Sequence, residues 1–476
     1  MFFLHALATR RKELSELGDH DALNALPQVT TFEMSSDPGG VWKSNRGRSS
    51  RKNTTDHDWT QNMYEGLWTN GPKEAMEFSD YTYDDHFKTQ LPVYLPRKLV
   101  YEYIMARVTQ HGDIFEDVWF NTYVQSVSYD GSINKFVIKT KHLDGTGTNT
   151  TQYFDKCIWA AGVNGKPKLI PELYAKLSNF QGRIIHSSEM GQITDAVKGK
   201  HILMVGGSYS AEDLALQCIK LGAEKIYISS RGNDDFVHWT TTWPDNKVTI
   251  LLDRVPCNVT DGNTIQFCNS EYHRKKDEVM EEYDGIDMII MCTGYEENTD
   301  FLDPDLNGDL YRNVVLLENP NMLFIYDDGQ SPLLEIDVRA WLALAFFTGR
   351  SVIPTKQQMM RQNDFRSQIF NSRREYTAVL NLMALDMTEG KYPVSFGTLY
   401  ELNDMGKKLE QIIYAFHFDR QNNINPRMTF RDANPRQYSS YLTGTSSIPL
   451  KGNWLVIDDD GEPFFSKDMV NLTANQ

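Results

Sequence analysis

The 476-residue chain reads as an α/β protein built from two doubly wound units, and three features of the sequence say so. Residues 201–230 run strand, glycine turn, helix, strand, which opens a βαβ unit and hence a parallel sheet. A short apolar strand closing on glycine occurs twice, once in each half: Lys156 to Gly162 (KCIWAAG) and Asp287 to Gly294 (DMIIMCTG). The length exceeds what one hydrophobic core usually supports, so two or more domains are expected.

Taken in order, residues 1–17 carry apolar positions Phe2, Leu4, Leu7 and Leu14 at helical spacing before a charged end. Residues 28–33 then read as a buried strand ending in the acid Glu33. The polar, basic stretch 37–62 reads as a loop, and 97–110 has a helical pattern. Two strand-like runs, Phe120–Tyr129 and Lys135–His142, are joined by a Gly/Asn turn. Beyond Pro167 and Pro171 the second unit begins near residue 180. It continues as strand 201–205, helix 210–221 and strand 225–230. The last 125 residues read as mostly helical, without repeats.

The bulk chemistry excludes several classes. A formal charge of −16 would repel nucleic-acid phosphates. No run of 18 apolar residues occurs, so no membrane span is expected. The first residues place charge after apolar positions, the reverse of a secretory signal. The five cysteines, Cys157, Cys218, Cys257, Cys268 and Cys292, form no CxxC pair. Neither a metal centre nor a reductase dithiol is therefore expected. Their number and scatter suit a reducing, cytoplasmic setting.

The strongest chemical signal lies at the turn Val205-Gly206-Gly207-Ser208-Tyr209-Ser210-Ala211. Against G-x-G-x-x-G/A, Gly206 serves the tight turn and Ala211 the close helix–strand contact. Ser208 stands where the backbone would pass a pyrophosphate, with the amides of the following helix facing it. The flanking strand and helix supply the context that a glycine motif needs. The next strand ends Ser229-Ser230-Arg231, without the acid that would take an NAD ribose. Arginine suits a 2′-phosphate through paired, charge-assisted hydrogen bonds, so NADPH is expected over NADH.

Several further segments resemble one family. Phe180-Gln-Gly182 through His186 to Met190 resembles the FxGxxxHxxx(Y/F) fingerprint of class B flavin monooxygenases, departing at the final aromatic. Gly39-Gly40-Val41-Trp42 after Glu33 is similar to the Gly-Gly-x-Trp loop of flavin-containing monooxygenases. Met63 to Glu74 is similar to their Asn-Gly-Pro segment. The chain is similar to the bacterial trimethylamine monooxygenase branch of that family in the 206–213 turn, Cys292-Thr293-Gly294-Tyr295 and Met428–Asp432.

The resemblance implies two Rossmann-like domains, with NADPH and FAD as cofactors. FAD binding would use residues 1–168 and 289–476, interrupted by an NADPH domain at 169–288. NADPH would reduce FAD, and a C4a-hydroperoxyflavin formed with O2 would oxygenate a small amine or sulfide. Asn70 would hold NADP+ and the hydroperoxide, with Tyr209 closing the same space. Glu33 would bind the FAD ribose. Gly40, Val41, Trp42, Trp68 and Val124 would line that cofactor, and Ser208, Ser210 and Thr293 would contact the dinucleotides. A homodimer is compatible with this picture.

Three departures go with it. The chain opens at what reads as the helix after the first glycine loop, so a first strand and its FAD-binding turn are expected to be missing. Tyr326–Ile336 largely lacks the aromatics that suit a quaternary-like cation. Ala160-Ala161-Gly162 replaces a usual threonine before the glycine. Baeyer–Villiger oxygenation and NADPH binding without catalysis remain the alternatives.

Overall fold

The computed structural model describes residues 1–43, 69, 73–78, 80–88, 91, 95–143, 145, 147–192, 194–232, 247–270, 278–326, 332–369, 454–457 and 463–466. The helices used below are α1 (Phe2–Leu17), α2 (His20–Asn24), α3 (Tyr83–Phe87), α4 (Arg97–Val108), α5 (Pro171–Lys176), α6 (Tyr209–Lys220), α7 (Pro332–Phe347) and α8 (Lys356–Ile369).

The second unit holds a five-stranded, wholly parallel sheet. Its strands are β7 (Arg183–His186), β8 (His201–Val205), β9 (Lys225–Ser230), β10 (Val248–Leu252) and β14 (Met288–Met291), in the order β10-β9-β8-β14-β7. Both faces are covered, which is why these strands are continuous apolar runs rather than alternating ones. Ile202, Met204, Ile226, Ile228 and Ile290 pack with Ala211, Leu214, Ala215 and Cys218 of α6. The intervening residues Leu203, Val205, Tyr227, Ile289 and Met291 pack on the opposite side with Phe180, Ile265 and Phe267. Period-2 geometry thus divides each strand between two cores. The sheet keeps β14, so the chain leaves this unit only after Met291. β14 begins at Met288, where the boundary between the units is expected.

A smaller antiparallel sheet rides on that second core: β11 (Arg254–Thr260), β12 (Thr264–Asn269) and β13 (Val279–Tyr283). Cys257 and Cys268 are joined by a disulfide between its neighbouring strands β11 and β12. The spacing hides the pair because antiparallel pairing, not sequence proximity, brings the two together. Cys157, Cys218 and Cys292 are free and buried. Burial holds the Cys157 and Cys218 thiols up at about 12, so they are inert packing groups.

The first unit is organised differently. Strands β1 (Thr31–Phe32) and β2 (Val118–Trp119) form a parallel pair. β6 (Cys157–Trp159) pairs in parallel with β17 (Met322–Phe324), which continues into β16 (Val315–Leu316) and β15 (Leu310–Tyr311). A three-stranded antiparallel sheet, β3 (Thr122–Asp130), β4 (Lys135–His142) and β5 (Asn149–Phe154), adjoins them. Among the described residues no strand joins β1 to β17.

Helices α1, α4 and α7 supply the core here, through Phe2, Phe3, Leu7, Leu99, Tyr103, Ile104, Val338 and Leu342. At its centre Arg107 is fully buried and pairs with Asp337 through two hydrogen bonds of 2.6 and 2.9 Å. Asp80 takes the guanidinium's remaining face at 3.1 Å. A buried guanidinium needs such partners, because an unpaired charge out of water is costly. No described helix is long and apolar enough to cross a membrane.

Candidate active site

In open α/β sheets ligands sit beyond the carboxyl ends of the strands. The sequence-derived residues of the second unit gather there. Gly206 follows β8 with φ of 112°, and a Cβ on it would lie 2.3 Å from the Cys292 carbonyl oxygen at the end of β14. Only glycine permits both that backbone and that approach. The two strand ends meet at this point, and α6 starts from it.

Ser208 is the N-cap of α6 but makes no side-chain cap hydrogen bond, so its exposed hydroxyl and the first amides of the helix face outward together. That arrangement suits a pyrophosphate, whose charge meets donors and the positive end of the helix. Ala211 is fully buried against the sheet, as its place in the motif requires. Ser210 is half-buried, and Tyr209 is 42% exposed. Arg231 is exposed at the end of β9.

The connections between the units form a ribbon. Gly165 N–H donates to the Glu296 carbonyl at 2.7 Å, Glu296 N–H to Lys166 at 2.9 Å, and Lys168 N–H to Gly294 at 2.9 Å. Thr293 is part of this ribbon: its hydroxyl donates to the Lys168 carbonyl at 2.7 Å. His186 locks the same place. Its Nε2 lies 3.0 Å from the Gly294 carbonyl and its ring meets Tyr295 edge-on. Burial lowers its pKa, so the neutral ring, able to donate from one nitrogen and accept at the other, suits this position. The fingerprint histidine therefore sits at the crossing of the two units. Met190, where the fingerprint departs, is fully buried in the core and fills the place with packing volume.

On the first unit Glu33 follows β1 and accepts the Ser35 amide at 2.7 Å. Its backbone joins β2 and β3 through Trp119 and Thr122. Gly39 has φ of 118°, and the Tyr101 ring lies where its Cβ would be, at 2.3 Å. Gly40, Val41 and Trp42 then form a short 3-10 turn beside α4. Trp42 packs against the helical core, and Val124 lies on β3 beside the Val127 and Trp159 cluster. Trp68 and Asn70, with Met428–Asp432, lie outside the described residues. Among those described, no group of acids, histidines or cysteines has the makings of a metal site.

Comparison with known proteins agrees with this architecture. A profile of the flavin-binding monooxygenase-like family matches residues 23–243. The chain is 30% identical to trimethylamine monooxygenase of Roseovarius nubinhibens, over 92% of this chain and 93% of that protein. It is 32% identical to the trimethylamine monooxygenase of Pelagibacter sp., with 93% of both covered. A crystal structure of Tmm from Pelagibacter sp. strain HTCC7211 superimposes with a TM-score of 0.68 at 26% identity, covering 93% of this chain and 92% of that one. The chain belongs to the flavin-binding monooxygenase-like family, and FAD and NADPH are the cofactors of that family. The expected class, two doubly wound α/β units, is the fold it shares with those proteins.

Proposed function

We propose that the protein is an NADPH- and FAD-dependent monooxygenase that transfers one oxygen atom from O2 to a small amine or sulfide, in the cytoplasm. The observation that carries this reading is the carboxyl edge of the five-stranded sheet, where Gly206, Ser208 and Arg231 stand together on the strand ends. The residues fit a dinucleotide: a glycine turn without room for a side chain, outward helix amides, and a guanidinium one strand away.

In this reading Ser208 and the α6 amides hold the pyrophosphate, and Arg231 takes the 2′-phosphate of NADPH. Glu33 and the Gly40-Val41-Trp42 turn stand beside FAD. When bound, the flavin accepts the hydride and activates O2, chemistry that no side chain here supplies. The chain's own part is orientation and exclusion of water. Asn70 and Tyr209 take that part at the reacting end. His186 and Thr293 hold the interdomain ribbon, and so would keep the residues that bind the two cofactors in a fixed relation.

The test is product formation. Purified protein given FAD, NADPH and O2 is expected to convert trimethylamine to its N-oxide or dimethyl sulfide to its S-oxide, one product per NADPH. Lactone from a cyclic ketone, with no N- or S-oxide, would reassign the chemistry to the Baeyer–Villiger type. NADPH binding without any flavin bound would make the chain a cofactor binder only.

A further inference from the structure

The rule that looks for a ribose-binding acid consults the end of β9, where Ser229-Ser230-Arg231 offers none. The neighbouring strand provides one. β10 runs parallel to β9 in strict register, with Leu251 beside Ser229 and Leu252 beside Ser230. The next residue, Asp253, therefore stands beside Arg231 on the same carboxyl edge, one strand spacing away (about 4.8 Å).

Asp253 is also aimed at that corner. Its Oδ1 lies 1.7 Å from where a Cβ on Gly232 would be, so the carboxylate leans across onto the backbone directly after Arg231. Any side chain at 232 would displace it, and Gly232 has φ of 91° besides. The aim is fixed by the backbone. Asp253 adopts a left-handed φ of 54°, a conformation that aspartate tolerates better than most residues. Its carbonyl accepts the Ser270 amide at 3.0 Å and Arg254 Nη1 at 3.2 Å. The Arg254 carbonyl in turn accepts the Ser229 hydroxyl at 2.7 Å, tying the turn to the end of β9. The disulfide Cys257–Cys268 anchors the same hairpin a few residues along.

We propose that Asp253 is a further cofactor-binding residue whose carboxylate accepts a hydroxyl of the adenosine ribose, beside Arg231 at the 2′-phosphate. The proposal rests on the NADPH reading above. A carboxylate accepts a sugar hydroxyl through a charge-assisted bond but repels a phosphate. The two side chains therefore divide the corner: Arg231 reads the group that distinguishes NADPH, and Asp253 reads the ribose that NADPH and NADH share.

The experiment is rapid mixing of NADPH and of NADH with the FAD-loaded full chain without oxygen, the affinity for each read from how the rate of flavin bleaching saturates with its concentration. Asp253→Asn and Asp253→Gly both keep a residue compatible with the left-handed turn, and melting curves check that they fold. Each is expected to weaken NADPH and NADH alike, by about tenfold, the scale of one charge-assisted hydrogen bond. Arg231→Gln is expected to weaken NADPH alone. If both Asp253 variants fold and bind both cofactors within twofold of the wild type, or bind NADPH more tightly, the proposal is overturned. An unchanged NADPH-to-NADH ratio in Arg231→Gln would instead remove the 2′-phosphate reading. The Asp253 variants then still decide whether the carboxylate holds the ribose.

Discussion

The two units of this molecule reach order by different routes. In the second unit five strands hydrogen-bond in one run, both faces are apolar, and the strand ends meet closely enough that Gly206 touches the backbone of Cys292. In the first unit the parallel strands are divided between the pair β1–β2 and the sheet that contains β6 and β17. What unites that unit is helical: α1 and α7 pack together, and Arg107 on α4 reaches Asp337 on α7. A continuous sheet makes a ligand site out of backbone. A helix-built core makes stability out of side chains, and its buried charges become the weak points.

Several measurements would break or sharpen that contrast. The largest effect is expected in the helical half. Arg107→Met leaves the carboxylates of Asp337 and Asp80 without their cation, and breaking such a buried pair costs about 3–5 kcal/mol. Denaturant unfolding should show that loss, while hydrogen exchange in β8, β9 and β14 stays slow. Uniform loss of protection across both units would mean that they do not differ as described.

Next comes Gly206→Ala. The new Cβ meets a carbonyl and the backbone must hold a positive φ, so NADPH affinity should fall by roughly a hundredfold. Titration with NADPH checks this, and the melting of the first unit should be unaltered. Retained affinity would show that the turn is not where the pyrophosphate rests.

Reducing the disulfide, or Cys257→Ser, should cost the second unit about 2–3 kcal/mol, from the chain entropy of a loop with its ends 11 residues apart. Thermal melts with and without a thiol reductant read this directly. No change in the melt would mean that the hairpin is held by its hydrogen bonds alone.

The smallest effect is acid sensitivity of the first unit. His5 is buried between α1 and the end of α4, with Nδ1 3.2 Å from the Val108 carbonyl, and its pKa falls to about 3, chiefly by burial and then by Arg107. The folded state thus favours the neutral ring. Its contribution is complete above the unfolded pKa near 6.5 and is lost as the pH falls toward 3. Between pH 6.5 and 5.5 stability should drop by about 1 kcal/mol, and His5→Gln should abolish that part of the dependence. An unchanged slope in the variant would assign the acid sensitivity to other groups.

The same contrast explains what could be read in the sequence. Residues 201–231 were legible because a βαβ turn writes its backbone needs into residue types: glycine for positive φ, alanine for close contact, arginine for phosphate. Helix α1, strands β4 and β9 and helix α6 fall at or within a residue of the places expected from their patterns. Asp253 escaped notice because its role depends on the register of two strands whose paired residues lie 22 apart in sequence, and no local pattern encodes that. Arg107 and Asp337 escaped for the same reason, since a lone arginine on a helix ordinarily reads as surface. The Cys257–Cys268 pair and the strand β14 beyond residue 288 likewise depend on pairing across the sheet. Of the residues expected near the flavin, Glu33, Gly40, Val41, Trp42 and Val124 are placed, while Trp68 and Asn70 lie outside the described residues.

The central claim is that the carboxyl edge of the five-stranded sheet delivers NADPH to a flavin held by the same chain. Rapid mixing of the FAD-loaded protein with NADPH, without oxygen, tests it most directly through the loss of the oxidised flavin's absorbance. The account predicts fast bleaching with NADPH and slower bleaching with NADH, and Arg231→Gln should bring the two together. NADPH that binds at that edge yet leaves the flavin oxidised would contradict it.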